Sequence, residues 1–104
     1  MGISTHVLDA ALGRPAVGVP VQLEGPGGVL ATATTDGDGR VGGLAAGPVV
    51  PGTYRLLFDT AAYFTATGQR GFYPEVSIAF TVEEGHYHIP LLLSPFAYST
   101  YRGS

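Results

Sequence analysis

No cysteine and no lysine occur among the 104 residues. Without cysteine, neither a disulfide framework nor a thiolate metal site is possible. The only basic side chains that are always charged are five arginines. They face eight acidic residues for a formal charge of −3, which offers none of the clustered basic surface that nucleic acid requires. Charge is scarce altogether: at 12% of the chain it is about half the usual share. Much of the surface is therefore expected to be buried against copies of the same chain. No run approaches the ~20 apolar residues of a membrane helix. Met1-Gly2-Ile3-Ser4-Thr5-His6 lacks the basic start and apolar stretch of a secretory signal, so a cytoplasmic location is expected. An apolar content of 45% argues against disorder. The chain reads as one domain over residues 1–104, small enough that oligomerisation is a natural way to bury more surface.

The periodicity is that of strands. Val17, Val19, Val21 and Leu23 alternate with Gly18, Pro20, Gln22 and Glu24, a half-buried pattern in which Pro20 favours an edge or a bulge. Gly25-Pro26-Gly27-Gly28 turns the chain. A second stretch from Val29 to Thr35 ends at Asp36-Gly37-Asp38-Gly39-Arg40, whose two Asp-Gly pairs are strong turn signals. Pro51-Gly52 precedes a strand from Thr53 to Asp59 that puts Tyr54, Leu56 and Phe58 on one face. Alternation returns in Val76, Ile78, Phe80 and Val82, and Glu83-Glu84-Gly85 breaks it. From Thr60 to Gly68 the rhythm changes. Thr60 as N-cap and Gly68 as C-terminal stop predict one short helix. Seven or eight short strands and one helix read as an all-β sandwich.

The C-terminal segment is the most informative. His86-Tyr87-His88 opens an apolar strand that continues through Ile89-Pro90-Leu91-Leu92-Leu93-Ser94-Pro95. A further strand follows and ends in Tyr101-Arg102-Gly103-Ser104. Chain termini are usually polar and poorly ordered, so a Tyr-Arg pair directly after a strand suggests a tail packed into a site. His86 and His88, separated by one residue, project from the same strand face, which suits a metal pair or an acid-base site. His6 shares its strand face with Ser4 and Leu8. Arg40 follows the double Asp-Gly turn, where a loop can aim a fixed charge into a cleft. His6, His86 and His88 also form a possible three-histidine zinc set. The Asp-Gly run is not a calcium loop: its glycine falls too early, and Gly47 stands where the bidentate Glu is required. Arg14, Arg55, Arg70, Glu24, Glu75, Glu83, Glu84, Asp9 and Asp59 read as solvated face or turn charges.

Taken in order, several segments resemble the transthyretin-related 5-hydroxyisourate hydrolases across essentially the whole chain. They are Thr5-His6-Val7-Leu8-Asp9, Thr35 to Arg40, Tyr54 to Thr60, Phe72-Tyr73-Pro74-Glu75, His86 to Pro95, and Tyr98 to Ser104. The terminal Tyr-Arg-Gly-Ser is the most specific of them. The resemblance implies a homotetramer of eight-stranded transthyretin-like sandwiches with active sites where two dimers meet. It implies conversion of 5-hydroxyisourate to 2-oxo-4-hydroxy-4-carboxy-5-ureidoimidazoline in urate breakdown, without a cofactor. His6, Arg40, His88 and Ser104 carry over as the catalytic set. Substrate contacts carry over to His6, Arg40, Tyr101, Arg102 and Gly103, with His86 flanking the site. The alternative implied by the same resemblance is a non-catalytic carrier of a small aromatic ligand, and a channel lined by Leu91 and Leu93 suits either reading.

Overall fold

The computed structural model describes residues 2–45 and 49–104; the middle of the small-residue loop between Gly42 and Pro51, including Gly47, lies outside them. In chain order the elements are β1 (Gly2–Asp9), β2 (Arg14–Pro15), β3 (Pro20–Gly25), β4 (Gly28–Thr34), β5 (Arg40–Val41), β6 (Gly52–Phe58), α1 (Thr60–Ala66), β7 (Val76–Val82), β8 (His86–Ser94) and β9 (Ala97–Thr100). Two of these nine strands, β2 and β5, are two-residue pairings on β1, so the longer strands stay within the expected number.

The strands form two sheets. One runs β2-β1-β8-β9 with β5 also on β1, and the other runs β4-β3-β6-β7. Their inner faces share one core. Ile3, Val7, Leu91 and Leu93 from the first sheet meet Val21, Leu23, Leu56, Phe58 and Val76 from the second, all 3% exposed or less. Each such side chain stabilises the fold by about 1.5–3 kcal/mol. The alternation of Tyr54, Leu56 and Phe58 with exposed Thr53 and Arg55 appears in β6 as expected. The first sheet is held together by the parallel pairing of β1 with β8, in register from Gly2 against His86 to Asp9 against Leu93. These two strands position the functional face.

Several sequence-based expectations are corrected. β3 lies between β4 and β6 and is not an edge. Pro20 is its first residue, where the missing N–H costs no ladder bond, and the irregularity falls between Leu23 and Glu24 instead. Val17 is exposed and precedes the strand. The helix is capped by Asp59, whose carboxylate accepts the Ala62 N–H at 3.0 Å. Thr60 is buried and its hydroxyl donates to the Tyr73 carbonyl. Gly68 follows the helix in a left-handed conformation, φ +68°, as a C-terminal stop should. Leu91 and Leu93 do not line an outward channel, because both are fully buried between the sheets. The outward positions of these strands are Leu8 and Leu92, both half-buried.

Asp9 is the largest departure. Read as a solvated charge, it is 1% exposed and accepts four hydrogen bonds: from Ala11 N at 3.0 Å, Leu12 N at 2.8 Å, the Tyr63 hydroxyl at 2.6 Å and Gln69 Nε2 at 3.1 Å. It ties the end of β1 to the helix. Burial by itself raises its pKa, but the hydrogen bonds led by Tyr63 outweigh it and hold the carboxyl below its ordinary value. Burial first, and then the same contact, push the Tyr63 phenol upward.

Candidate active site

Side chains at paired positions of neighbouring strands share a sheet face. In the parallel register Gly2 opposes His86, Ser4 opposes His88 and His6 opposes Pro90, while His6 also opposes Arg40 across β1 and β5. Since Ile3, Thr5 and Val7 point into the core, Ser4, His6, Arg40, His86 and His88 all belong to the outward face. A cleft of about 410 Å³ opens there, lined by Ser4, Thr5, Arg40, Val41, Gly42, Gly43, His86, His88 and Ser104. A larger concavity of about 670 Å³ lies over the outer face of the other sheet, between Gln22, Thr32, Leu57, Asp59 and Glu75. It contains carboxylates but no imidazole or guanidinium, whereas the smaller cleft holds both.

The turn before β5 aims Arg40. The Asp36 carboxylate accepts the N–H groups of Asp38 at 2.8 Å and Arg40 at 3.0 Å, and the Gly39 N–H donates to the Asp36 carbonyl at 2.9 Å. The Arg40 and Asp38 amides hold the Asp36 carboxyl below its usual range. Gly39 has φ +75°, and any Cβ there would collide with the Val7 carbonyl. Only glycine lets the turn come this close to β1, where the Val7 N–H donates to the Gly39 carbonyl at 2.7 Å. Arg40 itself is exposed and makes no side-chain ion pair among the described residues, leaving its guanidinium available to an anion.

His88 is half-buried. Its Nδ1 lies 2.8 Å from the Ser4 hydroxyl, which is also 3.2 Å from His86 Nε2. No protein group among the described residues bonds His88 Nε2, and that atom is not buried. Burial first, then the fields of Arg40, His6 and His86, pull the His88 pKa below the ordinary imidazole value. The ring is therefore neutral at neutral pH and carries a basic nitrogen toward the cleft.

The tail packs onto the same strand. The Arg102 guanidinium sits 4.7 Å above the Tyr87 ring, a cation–π contact. The Gly103 N–H donates to the His88 carbonyl at 2.8 Å. A Cβ at Gly103 would press to 2.6 Å from His88 Cδ2, so glycine is what allows the tail to lie flat against the imidazole. Ser104 then reaches the cleft wall.

Arg40, His86, His88 and Ser104 thus line one cleft, with His6 beside Arg40 on the same face. Tyr101 is 58% exposed. Tyr101, Arg102 and Gly103 are not among the residues lining the cleft in the single chain. The three imidazoles do not form a group able to hold a metal ion, and no other His, Asp or Glu cluster among the described residues does so. Ser4, Gly42 and Gly43 are cleft residues that the sequence reading did not single out. For Ser4 the available signal was its shared strand face with His6.

A family model described as the HIUase/Transthyretin family matches residues 3–103. A 5-hydroxyisourate hydrolase of Mus musculus is 47% identical over 111 residues, covering 98% of this chain and 94% of that protein. The Uric acid degradation bifunctional protein TTL of Arabidopsis thaliana is 47% identical over 123 residues. That match covers 98% of this chain and 37% of the plant protein, so the chain spans little more than a third of it. Among solved structures, the 5-hydroxyisourate hydrolase of Klebsiella pneumoniae matches with a TM-score of 0.94, at 40% identity and over 100% of both chains.

Proposed function

The chain belongs to the HIUase/Transthyretin family, and from that premise we propose that it hydrolyses 5-hydroxyisourate in urate degradation, using His6, Arg40, His88 and Ser104. One observation carries the reading: neutral imidazole, guanidinium and hydroxyl converge on one outward cleft. The family's description names both an enzyme and a carrier, and a shared fold does not decide between them. A carrier of a small aromatic ligand has no use for that polar convergence, and the leucines expected to line its channel are in the core.

Opening the six-membered ring means adding water to a ring carbonyl and expelling a ring nitrogen. His88 Nε2 accepts a proton as the water oxygen bonds to the carbonyl carbon. The same proton then passes to the ring nitrogen as the carbon–nitrogen bond breaks, leaving a carboxyl group that ionises. His6 flanks the water from β1. Arg40 holds the oxygen-rich substrate and stabilises charge developing on the carbonyl oxygen, and its field keeps the imidazole neutral. Tyr101, Arg102 and Gly103 close the site and orient the ring, and the Ser104 hydroxyl relays that same proton from His88 Nε2 to the leaving nitrogen.

The test is ultraviolet spectroscopy of 5-hydroxyisourate made freshly from urate and urate oxidase, with and without the protein. Decay no faster than in buffer, from folded protein, rejects the hydrolase in favour of the carrier. In the same assay Arg40→Lys is expected to lose roughly tenfold or more, because an ammonium cannot present the bidentate fork of a guanidinium. Normal turnover by that variant would sink the bidentate role.

The assembly is a homotetramer with sites at the dimer–dimer interface. The half-buried Leu8 and Leu92 beside the cleft support this reading, as do Phe72 and Phe96, 69% and 72% exposed in the single chain. Specific activity is then expected to fall on dilution into the dissociated state, and full activity of an isolated monomer refutes the shared site. None of the described helices is long and apolar enough to cross a membrane.

A further inference from the structure

Three side chains form a linked row on the outward face: His86 Nε2, the Ser4 hydroxyl and His88 Nδ1, with separations of 3.2 and 2.8 Å. A hydroxyl has one proton to give, and each neutral imidazole has one N–H. Two arrangements keep the Ser4 proton within the row; a third, in which Ser4 Oγ accepts from both rings, leaves His88 in the same tautomer as the first. In the first, His88 Nδ1–H donates to Ser4 Oγ and the Ser4 proton goes to His86 Nε2, leaving His88 Nε2 bare. In the second, every bond is reversed, and His88 Nε2 carries the hydrogen.

The surroundings separate the two. Arg40 lines the same cleft as His88, and a fixed cation there disfavours an N–H dipole turned toward it while favouring a lone pair. The remaining charged or titratable groups around His88 are His6 on β1, His86 on its own strand and the tail at Ser104, packed through Gly103. No carboxylate is among the groups whose fields shift His88, whereas Arg40 leads them, so the preference is not reversed. His86 is exposed, so water satisfies whichever nitrogen the row leaves free.

We propose that Ser4 is a positioning residue which, by bridging His86 and His88, locks His88 in the Nδ1–H tautomer and so presents Nε2 as the base for the attacking water. This rests on the hydrolase reading above. The bond between Ser4 and His88 crosses from β1 to β8 at positions directly opposed in the parallel register, so strand pairing sets the ring's orientation as well as its protonation. Nothing covalent happens at Ser4. It keeps its own proton throughout, and the proton taken from water resides on His88 Nε2 until it passes to the leaving nitrogen.

The tautomer is read directly from ring-nitrogen NMR of the substrate-free protein labelled with ¹⁵N-histidine at pH 7.5. The wild type is expected to show His88 protonated at Nδ1 and bare at Nε2, and Ser4→Ala to shift it toward Nε2–H. Ser4→Thr, which keeps the hydroxyl, is expected to restore the wild-type pattern. In the decay assay Ser4→Ala is expected to lower kcat about tenfold with KM within twofold, and Ser4→Thr to recover most of it. A purely structural serine would not produce that split or that rescue. His88 found as Nε2–H in the wild type, or Ser4→Ala turning over within twofold of it, overturns the proposal. The spectra need neither substrate nor variant, so they decide the tautomer even if Ser4→Ala does not fold. If the wild type fails to speed the decay while showing Nδ1–H, the hydrolase reading falls and the tautomer stands.

Discussion

Alanine at position 88 is expected to lower kcat for 5-hydroxyisourate by about 10²–10⁴, the contribution of a positioned acid-base group. The imidazole is the group best placed to work on water: its Nδ1 is occupied by Ser4, and its Nε2 has no partner among the described residues and is not buried. Burial and Arg40 pull its pKa below the ordinary imidazole value, which favours the neutral, basic form at neutral pH. The wild-type kcat/KM is accordingly expected to be flat near pH 7 and to fall only as pH drops below about 6.5, when Nε2 becomes protonated. His88→Ala should lose this acid limb as well as the rate. The side chain faces outward, so the variant should fold, and its thermal melt serves as the control. Turnover within threefold of wild type would move the base to His6.

Replacing Asp9 by alanine is expected to cost about 3 kcal/mol of stability, lowering Tm by about 10 °C or more in a chain of this size. The carboxylate accepts four hydrogen bonds. Ala11 and Leu12 are exposed and can turn to water, but the Tyr63 hydroxyl, on a residue 2% exposed, would be left buried without a partner. Since the Asp9 pKa is depressed in the folded state, its contribution is fully present above the unfolded carboxylate value of about 3.9. It is lost as pH falls through the lower folded value. Asp9→Asn keeps an oxygen for the two backbone donors and should lose less, with a shallower acid transition. Urea unfolding at pH 7 and pH 3 checks both statements. An Asp9→Ala protein within about 1 kcal/mol of wild type would show that the network is not stabilising.

What was legible in the sequence follows where polarity differs between strand faces. β6 declares its inward side because Thr53 and Arg55 alternate with Tyr54, Leu56 and Phe58. β8 does not, because Pro90 and Leu92 on its outer side are as apolar as Ile89, Leu91 and Leu93 on the inner, so its sequence does not say which leucines face the core. Asp9 looks solvated because a carboxylate at a strand end usually is, and only Tyr63 and Gln69, more than fifty residues away, make its burial tolerable. Asp59 and Thr60 are both acceptable caps locally, and Tyr73 decides between them by taking the threonine hydroxyl. At the candidate site, the types and strand faces of His6, Arg40, His86 and His88 could be read directly. The bond from Ser4 to His88 could not, because it depends on the pairing of β1 with β8, and local periodicity carries no information about which strands pair.

That same pairing bears on how the protein is made. Ser4 and His88 are 84 positions apart. At roughly 5–20 residues per second, the first strand leaves the ribosome roughly 4 to 17 s before its parallel partner exists. Throughout that interval the strand has only its two-residue pairings with β2 and β5, while the antiparallel β3–β4 and β6–β7 pairs, built on nearer neighbours, already have what they need. The imidazole row and the folded-back tail both depend on the late closure of β8 onto β1. A chain released before that closure has no partly working intermediate, so the appearance of activity during synthesis would time the last step of folding.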